Sequence, residues 1–150
     1  MTKLTWEDVE KIADELAESI LKSNFQPDYI IGITAGGLIP LYFLARKLNL
    51  VDKILTISAN SYDKDKQHDL KILYLPEVDL SNKKVLLVDE ISGTGRTLRE
   101  IARILIEKYQ VRELRTVTFV TMEESEFCPD FYGRTEKKDW VLFPWDKKIN

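Results

Sequence analysis

Four apolar residues, Val85 to Val88, run directly into two adjacent carboxylates, Asp89 and Glu90, and then into the loop Ser92-Gly93-Thr94-Gly95-Arg96-Thr97. Missing Cβ atoms let backbone N–H groups approach an anion closely, and the hydroxyls of Ser92, Thr94 and Thr97 suit phosphate oxygens. A helix opening just after such a loop adds partial positive charge. A second glycine turn, Thr34-Ala35-Gly36-Gly37, follows another apolar run. Two anion-binding turns suit a ligand phosphorylated at both ends. Carboxylates between them would repel it unless they bind ribose hydroxyls, coordinate magnesium or stabilise positive charge developing on a sugar carbon. Two other chemistries fail on the residues. No G-x-x-x-x-G-K-[ST] occurs, and the loop has Leu98 where a dinucleotide fingerprint needs its third glycine.

The elements that position these groups follow from periodicity. Val9, Ile12, Ala13, Leu16, Ala17 and Ile20 recur at helical spacing, with Thr5 and Asp8 as an N-terminal cap, and the stretch around Pro27 ends that helix. Residues 29–33, 53–59, 70–75, 84–89 and 114–120 read as strands, rich in β-branched residues. Helices are expected over 38–48, with Pro40 in the first turn, and along Leu98, Ile101, Ala102, Leu105 and Ile106. Residues 60–69 are polar and aperiodic and read as a mobile loop. Strand–helix alternation predicts an α/β fold whose parallel sheet of four or five strands is covered on both faces, with one or two short antiparallel additions. Both glycine turns then open on one sheet edge, at the carboxyl ends of the strands.

Composition bounds the rest. The 150 residues suit one domain spanning 1–150. A net charge of −3 argues against a general nucleic-acid binder. One cysteine, Cys128, and one histidine, His68, preclude an intramolecular disulfide or a cysteine zinc cluster. No apolar stretch reaches membrane-span length and MTKLTWEDVE lacks a signal-peptide layout, so a soluble, cytoplasmic protein is expected.

The run VLLVDEISGTGRTL (85–98) resembles the phosphoribosyl-diphosphate motif of the type I phosphoribosyltransferases, and most of the chain is similar to their short xanthine-guanine and other 6-oxopurine members. IIGITAGGLIP (30–40) resembles their pyrophosphate loop, NSYDKDKQHDLKIL (60–73) their flexible loop, and DWVLFPWD (139–146) their base-covering C-terminal segment. The resemblance implies a parallel-sheet fold with a small C-terminal hood, magnesium as cofactor, phosphoribosyl diphosphate and a purine base as ligands, and a homodimer. It implies that Ser92, Gly93, Thr94, Gly95, Arg96 and Thr97 hold the 5′-phosphate and that Ala35, Gly36 and Gly37 hold the pyrophosphate. Asp89 and Glu90 would grip the ribose as the catalytic acids, with Glu90 toward the metal. Ser61 and Tyr62 would close over the site, and Ile91, Trp140 and Val141 would bind the base.

Three positions depart from that pattern. Gly93 stands where 6-oxopurine enzymes carry an aspartate serving N7 of the base. FVTMEES (119–125) offers Met122 or Glu123 in place of a lysine donating to O6, and Ala35 replaces the basic residue before Gly-Gly. Without a donor to O6, adenine becomes the expected base, its N6 amine given to the Val141 backbone or to Glu123. The expected reaction is purine salvage giving AMP and pyrophosphate. The alternatives are a 6-oxopurine transferase and a non-enzymatic sensor of the phosphoribosyl ligand. Lys64, Lys66, Lys71 or Arg46 would replace the missing charge near Ala35. The remaining candidates read as bland: Trp145 as a core aromatic, Cys128 as partly buried, His68, Lys137-Lys138 and Lys147-Lys148 as solvated surface.

Overall fold

In a computed structural model the protein is described over residues 1–64, 67–137 and 140–146, with the backbone alone for 61–64 and 67–69. Chain order is β1 (Thr2–Lys3), α1 (Trp6–Lys22), β2 (Tyr29–Thr34), α2 (Leu38–Lys47), β3 (Ile54–Lys64), β4 (Gln67–Tyr74), β5 (Lys84–Ser92), α3 (Arg96–Glu107), β6 (Glu113–Met122), β7 (Phe131–Glu136) and β8 (Val141–Leu142), with short 3-10 turns at Val51–Lys53 and Pro144–Asp146.

Helix α1 begins on a reciprocal cap. The Asp8 amide donates to Thr5 Oγ1 at 3.1 Å, and the Thr5 amide donates to Asp8 Oδ2 at 2.8 Å. Its apolar stripe, Val9 through Ile20, is buried, and Asn24 at φ 61° turns the chain out of it. Each large aliphatic side chain on that stripe contributes about 1.5–3 kcal/mol by leaving water.

Six strands form one sheet in the order β4-β3-β2-β5-β6-β7, parallel except for the antiparallel β3–β4 pair. Alternation along β2 and β5 divides two cores. Ile30, Leu86 and Val88 face α1 and α2, whereas Ile31, Ile33, Val85 and Leu87 face α3. Gly32 sets how closely α2 approaches, since a Cβ there would lie 2.6 Å from Leu41 Cδ2. The β6–β7 crossover has no helix. Asp130 fastens it by accepting from the Thr116 amide at 2.8 Å and the Thr116 hydroxyl at 3.1 Å. No helix among the described residues is long and apolar enough to cross a membrane.

One sequence expectation changes, and one pairing is new. The polar stretch 60–69 is not a simple loop: the described part of it extends β3 and β4 as an antiparallel ladder from Ser58↔Tyr74 to Lys64↔Gln67. An edge hairpin needs backbone pairing but not an apolar face, so its polar composition conceals it from a hydrophobicity reading. The new pairing is the clasp between β1 and β8, parallel at Thr2↔Val141 and Lys3↔Leu142, which brings the N-terminus against the C-terminal hood.

Candidate active site

The carboxyl ends of β2 and β5 lie side by side and open into a cleft of about 1040 Å³. Among the described residues it is lined from three directions: the turn 34–36 after β2, Asp89 and Glu90 at the end of β5, and the loop 92–97 that starts α3. The β3–β4 hairpin adds Asn60 and Leu70.

The turn after β2 is built on close approach. A Cβ on Gly37 would sit 2.5 Å from the Ile33 carbonyl oxygen and 3.0 Å from that of Val88, and one on Gly36 would sit 2.5 Å from the Glu90 carboxyl carbon. The Thr34–Ala35 peptide is cis. The loop after β5 has a different requirement. Gly95 takes φ 86°, in the left-handed region, and a Cβ there would lie 2.6 Å from the Phe127 nitrogen. Gly95 is also the N-cap of α3 and offers no side chain to the first-turn amides; no acidic residue stands in that turn. The helix therefore presents a positive end to the cleft. Gly93 meets nothing within 4 Å of a built Cβ, so its side is open.

Burial raises the Asp89 carboxyl from 3.8 to about 7, the neighbouring Glu90 charge adding to it and the bond from the Glu90 amide opposing it. Glu90 is likewise raised by burial and by the Asp146 charge, against the bond it accepts from Trp145. Among the described residues no cation is among the charges that act on either acid. Among the described residues no cluster of three or more His, Cys, Asp or Glu forms a metal cage, so an ion here would take most of its ligands from substrate and water. That donor set fits magnesium, which keeps several waters and binds through one or two carboxylates plus phosphate oxygens.

The other expected residues are distributed unevenly. Thr94, Arg96 and Thr97 line the cleft, and Ile91 stands beside the acid pair. Ser92 also lines it, but its hydroxyl is buried against Ser125 Oγ at 2.9 Å and donates to the Phe127 carbonyl at 3.1 Å. The Ser92 side chain thus braces the loop from behind, unlike its expected role as a hydroxyl for phosphate. The Ser61 and Tyr62 side chains lie outside the described residues, as do those of Lys64, Lys66 and His68. Val141 is buried, whereas Trp140 is 73% exposed and lines neither described cleft.

Neither Arg46 nor Lys71 supplies the charge missing beside Ala35. Arg46 is exposed in the last turn of α2, far from the end that meets the site. Lys71 alternates with the cleft-lining Leu70 and so presents to the other face of β4. The cleft's described cations are Arg96 and Arg99, the latter 3.6 Å from Glu126. Cys128, expected to be partly buried, is exposed, because the surface segment after Ser125 turns Phe127 inward instead.

Two residues were missed. Trp145 is no plain core aromatic: its indole N–H donates to Glu90 Oε2 at 2.7 Å. Lys137, read as surface, lines a second cleft of about 480 Å³ with Met122, Gly93, Thr94 and Arg96. Parallel pairing of Met122 with Glu136 delivers it there. A lysine following an acidic residue in a polar stretch carries no local sign of that placement.

Residues 4–150 match the family described as "Phosphoribosyl transferase domain". The chain is 32% identical over 149 residues to a xanthine-guanine phosphoribosyltransferase of Chromohalobacter salexigens, covering 97% of this chain and 84% of that protein. Its fold superposes with a TM-score of 0.85 on a purine phosphoribosyltransferase from Pyrococcus horikoshii, at 30% identity over 99% of this chain and 96% of the other. The xanthine-guanine-hypoxanthine phosphoribosyltransferase of Helicobacter pylori, at 23% identity over 97% and 93% of the two chains, shares the fold with a TM-score of 0.85. With an acid pair between two glycine turns on one sheet edge and a family match over nearly its whole length, the chain belongs to the type I phosphoribosyltransferases.

Proposed function

We propose that residues 1–150 form one cytoplasmic purine-salvage domain that transfers the phosphoribosyl group of phosphoribosyl diphosphate to a 6-oxopurine, releasing pyrophosphate. The observation that carries this reading is the convergence of the turn 34–36, Asp89–Glu90 and the loop 92–97 on one cleft. In the reaction a base nitrogen forms a bond to C1 of the sugar, the C1–oxygen bond to pyrophosphate breaks, and the nitrogen's proton leaves to solvent or pyrophosphate.

Amides of residues 93–97 and the N-terminus of α3 hold the 5′-phosphate, and the close-packed turn at 35–37 takes the pyrophosphate. Asp89 and Glu90 accept hydrogen bonds from the ribose hydroxyls, and their charge stabilises the cationic sugar as the leaving group departs. Magnesium, held by Glu90 and Asp89 with ligand oxygens, would supply charge neutralisation for the pyrophosphate. Ser61 and Tyr62 close over the site, while Ile91, Val141 and the exposed Trp140 ring receive the base.

Base choice departs from the adenine preference that the sequence suggested. That preference rested on Gly93 in place of an aspartate and on the lack of a lysine near Met122 along the chain; Lys137, distant in sequence, shares a cleft with Met122. A cation there suits the O6 carbonyl of hypoxanthine, guanine or xanthine, and the relative at 32% identity is named for xanthine and guanine. Steady-state assays with phosphoribosyl diphosphate, magnesium and each of adenine, hypoxanthine, guanine and xanthine test the reading. Turnover of a 6-oxopurine in preference to adenine is expected. Ligand-induced thermal stabilisation without turnover of any base refutes the enzyme and favours the sensor.

A further inference from the structure

We propose that Trp145 is a positioning residue for the acid pair: its indole N–H fixes the Glu90 carboxylate, so that seating the C-terminal segment prepares the cleft for the phosphoribosyl ligand. This inference rests on the function proposed above and adds a residue to its machinery.

The arrangement restrains Glu90 from two sides. On one, Trp145 Nε1 donates to Oε2 at 2.7 Å, a charge-assisted bond of the stronger kind. On the other, the backbone at Gly36 approaches so closely that even a methyl group would come within 2.5 Å of Oε1. A free glutamate side chain has several rotamers to lose, and here they are restricted before any ligand arrives.

The indole is itself restrained. Its ring stacks on Phe143, with centroids 4.7 Å apart and planes 13° from parallel, and Trp6 of α1 packs against it at 5.9 Å, tilted by 52°. Phe143 is buried in the core on the α1 side, and its amide donates to Asp146 Oδ2 at 2.8 Å, closing the 3-10 turn that carries Trp145. The β1–β8 clasp holds the start of the same segment. Nothing in that construction requires an indole N–H for packing alone, since a phenyl ring would serve the stack.

Trp145→Phe separates the two roles. It keeps an aromatic ring between Phe143 and Trp6 and removes the donor. The variant is expected to melt within a few degrees of the wild type. Its KM for phosphoribosyl diphosphate should rise about tenfold or more, from loss of a hydrogen bond to a charged group, with a much smaller change in the KM for the purine. A wild-type KM in the folded variant overturns the proposal.

A spectroscopic arm needs no active variant. In ¹H–¹⁵N spectra of the full chain, the Trp145 indole signal is assigned by elimination with Trp6→Phe and Trp140→Phe. It should lie downfield in the wild type and move toward the free-indole position in Glu90→Ala. An indole signal indifferent to Glu90→Ala also overturns the proposal. If wild-type enzyme turns over no purine, the function proposed above fails, and the indole measurement still judges the bond independently.

Discussion

Asp89→Asn should make the ligand-free protein more stable at pH 8 and leave it nearly unchanged at pH 4. The folded-state carboxyl sits at about 7 against 3.8 in its ordinary setting, chiefly because it is buried. Below pH 3.8 both folded and unfolded chains carry the proton and the group contributes nothing. As pH rises from there to about 7 the unfolded chain releases its proton while the folded chain keeps it, so stability falls, and above 7 the full penalty stands. At 1.36 kcal/mol per pH unit the penalty is roughly 4 kcal/mol. For a domain of this size that corresponds to about 8–16 °C in melting temperature. Asparagine still offers an oxygen to the Glu90 amide, which donates to Asp89 Oδ1 at 2.8 Å, so the substitution removes charge and little else. The assay is the melting temperature of both proteins from pH 4 to pH 8 with chelator present. A difference that stays flat across that range, or a variant less stable at pH 8, refutes the reasoning. Magnesium with phosphoribosyl diphosphate should selectively raise the wild type at pH 8, because the bound metal sets positive charge beside the Asp89 carboxylate.

Three further outcomes follow from the same geometry. Lys137→Ala should lower kcat/KM for a 6-oxopurine about 10–100-fold with little effect on adenine, the scale of a charged hydrogen bond; equal losses for both bases in a nucleobase panel would remove Lys137 from base selection. Gly95→Ala, which puts a Cβ 2.6 Å from the Phe127 nitrogen at φ 86°, should cost about 2 kcal/mol or more in urea unfolding, whereas Gly93→Ala, with nothing within 4 Å, should stay near wild type. Chelating magnesium should abolish turnover and weaken phosphoribosyl diphosphate binding in calorimetry while leaving the chelated protein folded, since among the described residues no protein-only metal cage forms.

The sequence alone determined the parts of this protein whose signals are local. The cap of α1 is legible because Thr5 and Asp8 satisfy each other within one turn. The acid pair and the glycine loop are legible because a buried parallel strand writes itself as an apolar run and the chemistry follows at its carboxyl end. Strand–helix alternation then puts the turn at 34–37 on the same edge, without any knowledge of register. Three decisions belonged to tertiary structure. The β1–β8 clasp uses two residues per strand, too few for any periodicity. Lys137 comes to line one cleft with Met122 only through the parallel pairing of β7 on β6. Trp145 meets Glu90 across 55 positions of sequence. A residue's pattern along the chain reports which face it shows and how it turns, whereas its partners across the fold depend on how separate segments pair and pack, and neither the indole donor to Glu90 nor the lysine in the cleft beside Met122 exists until they do.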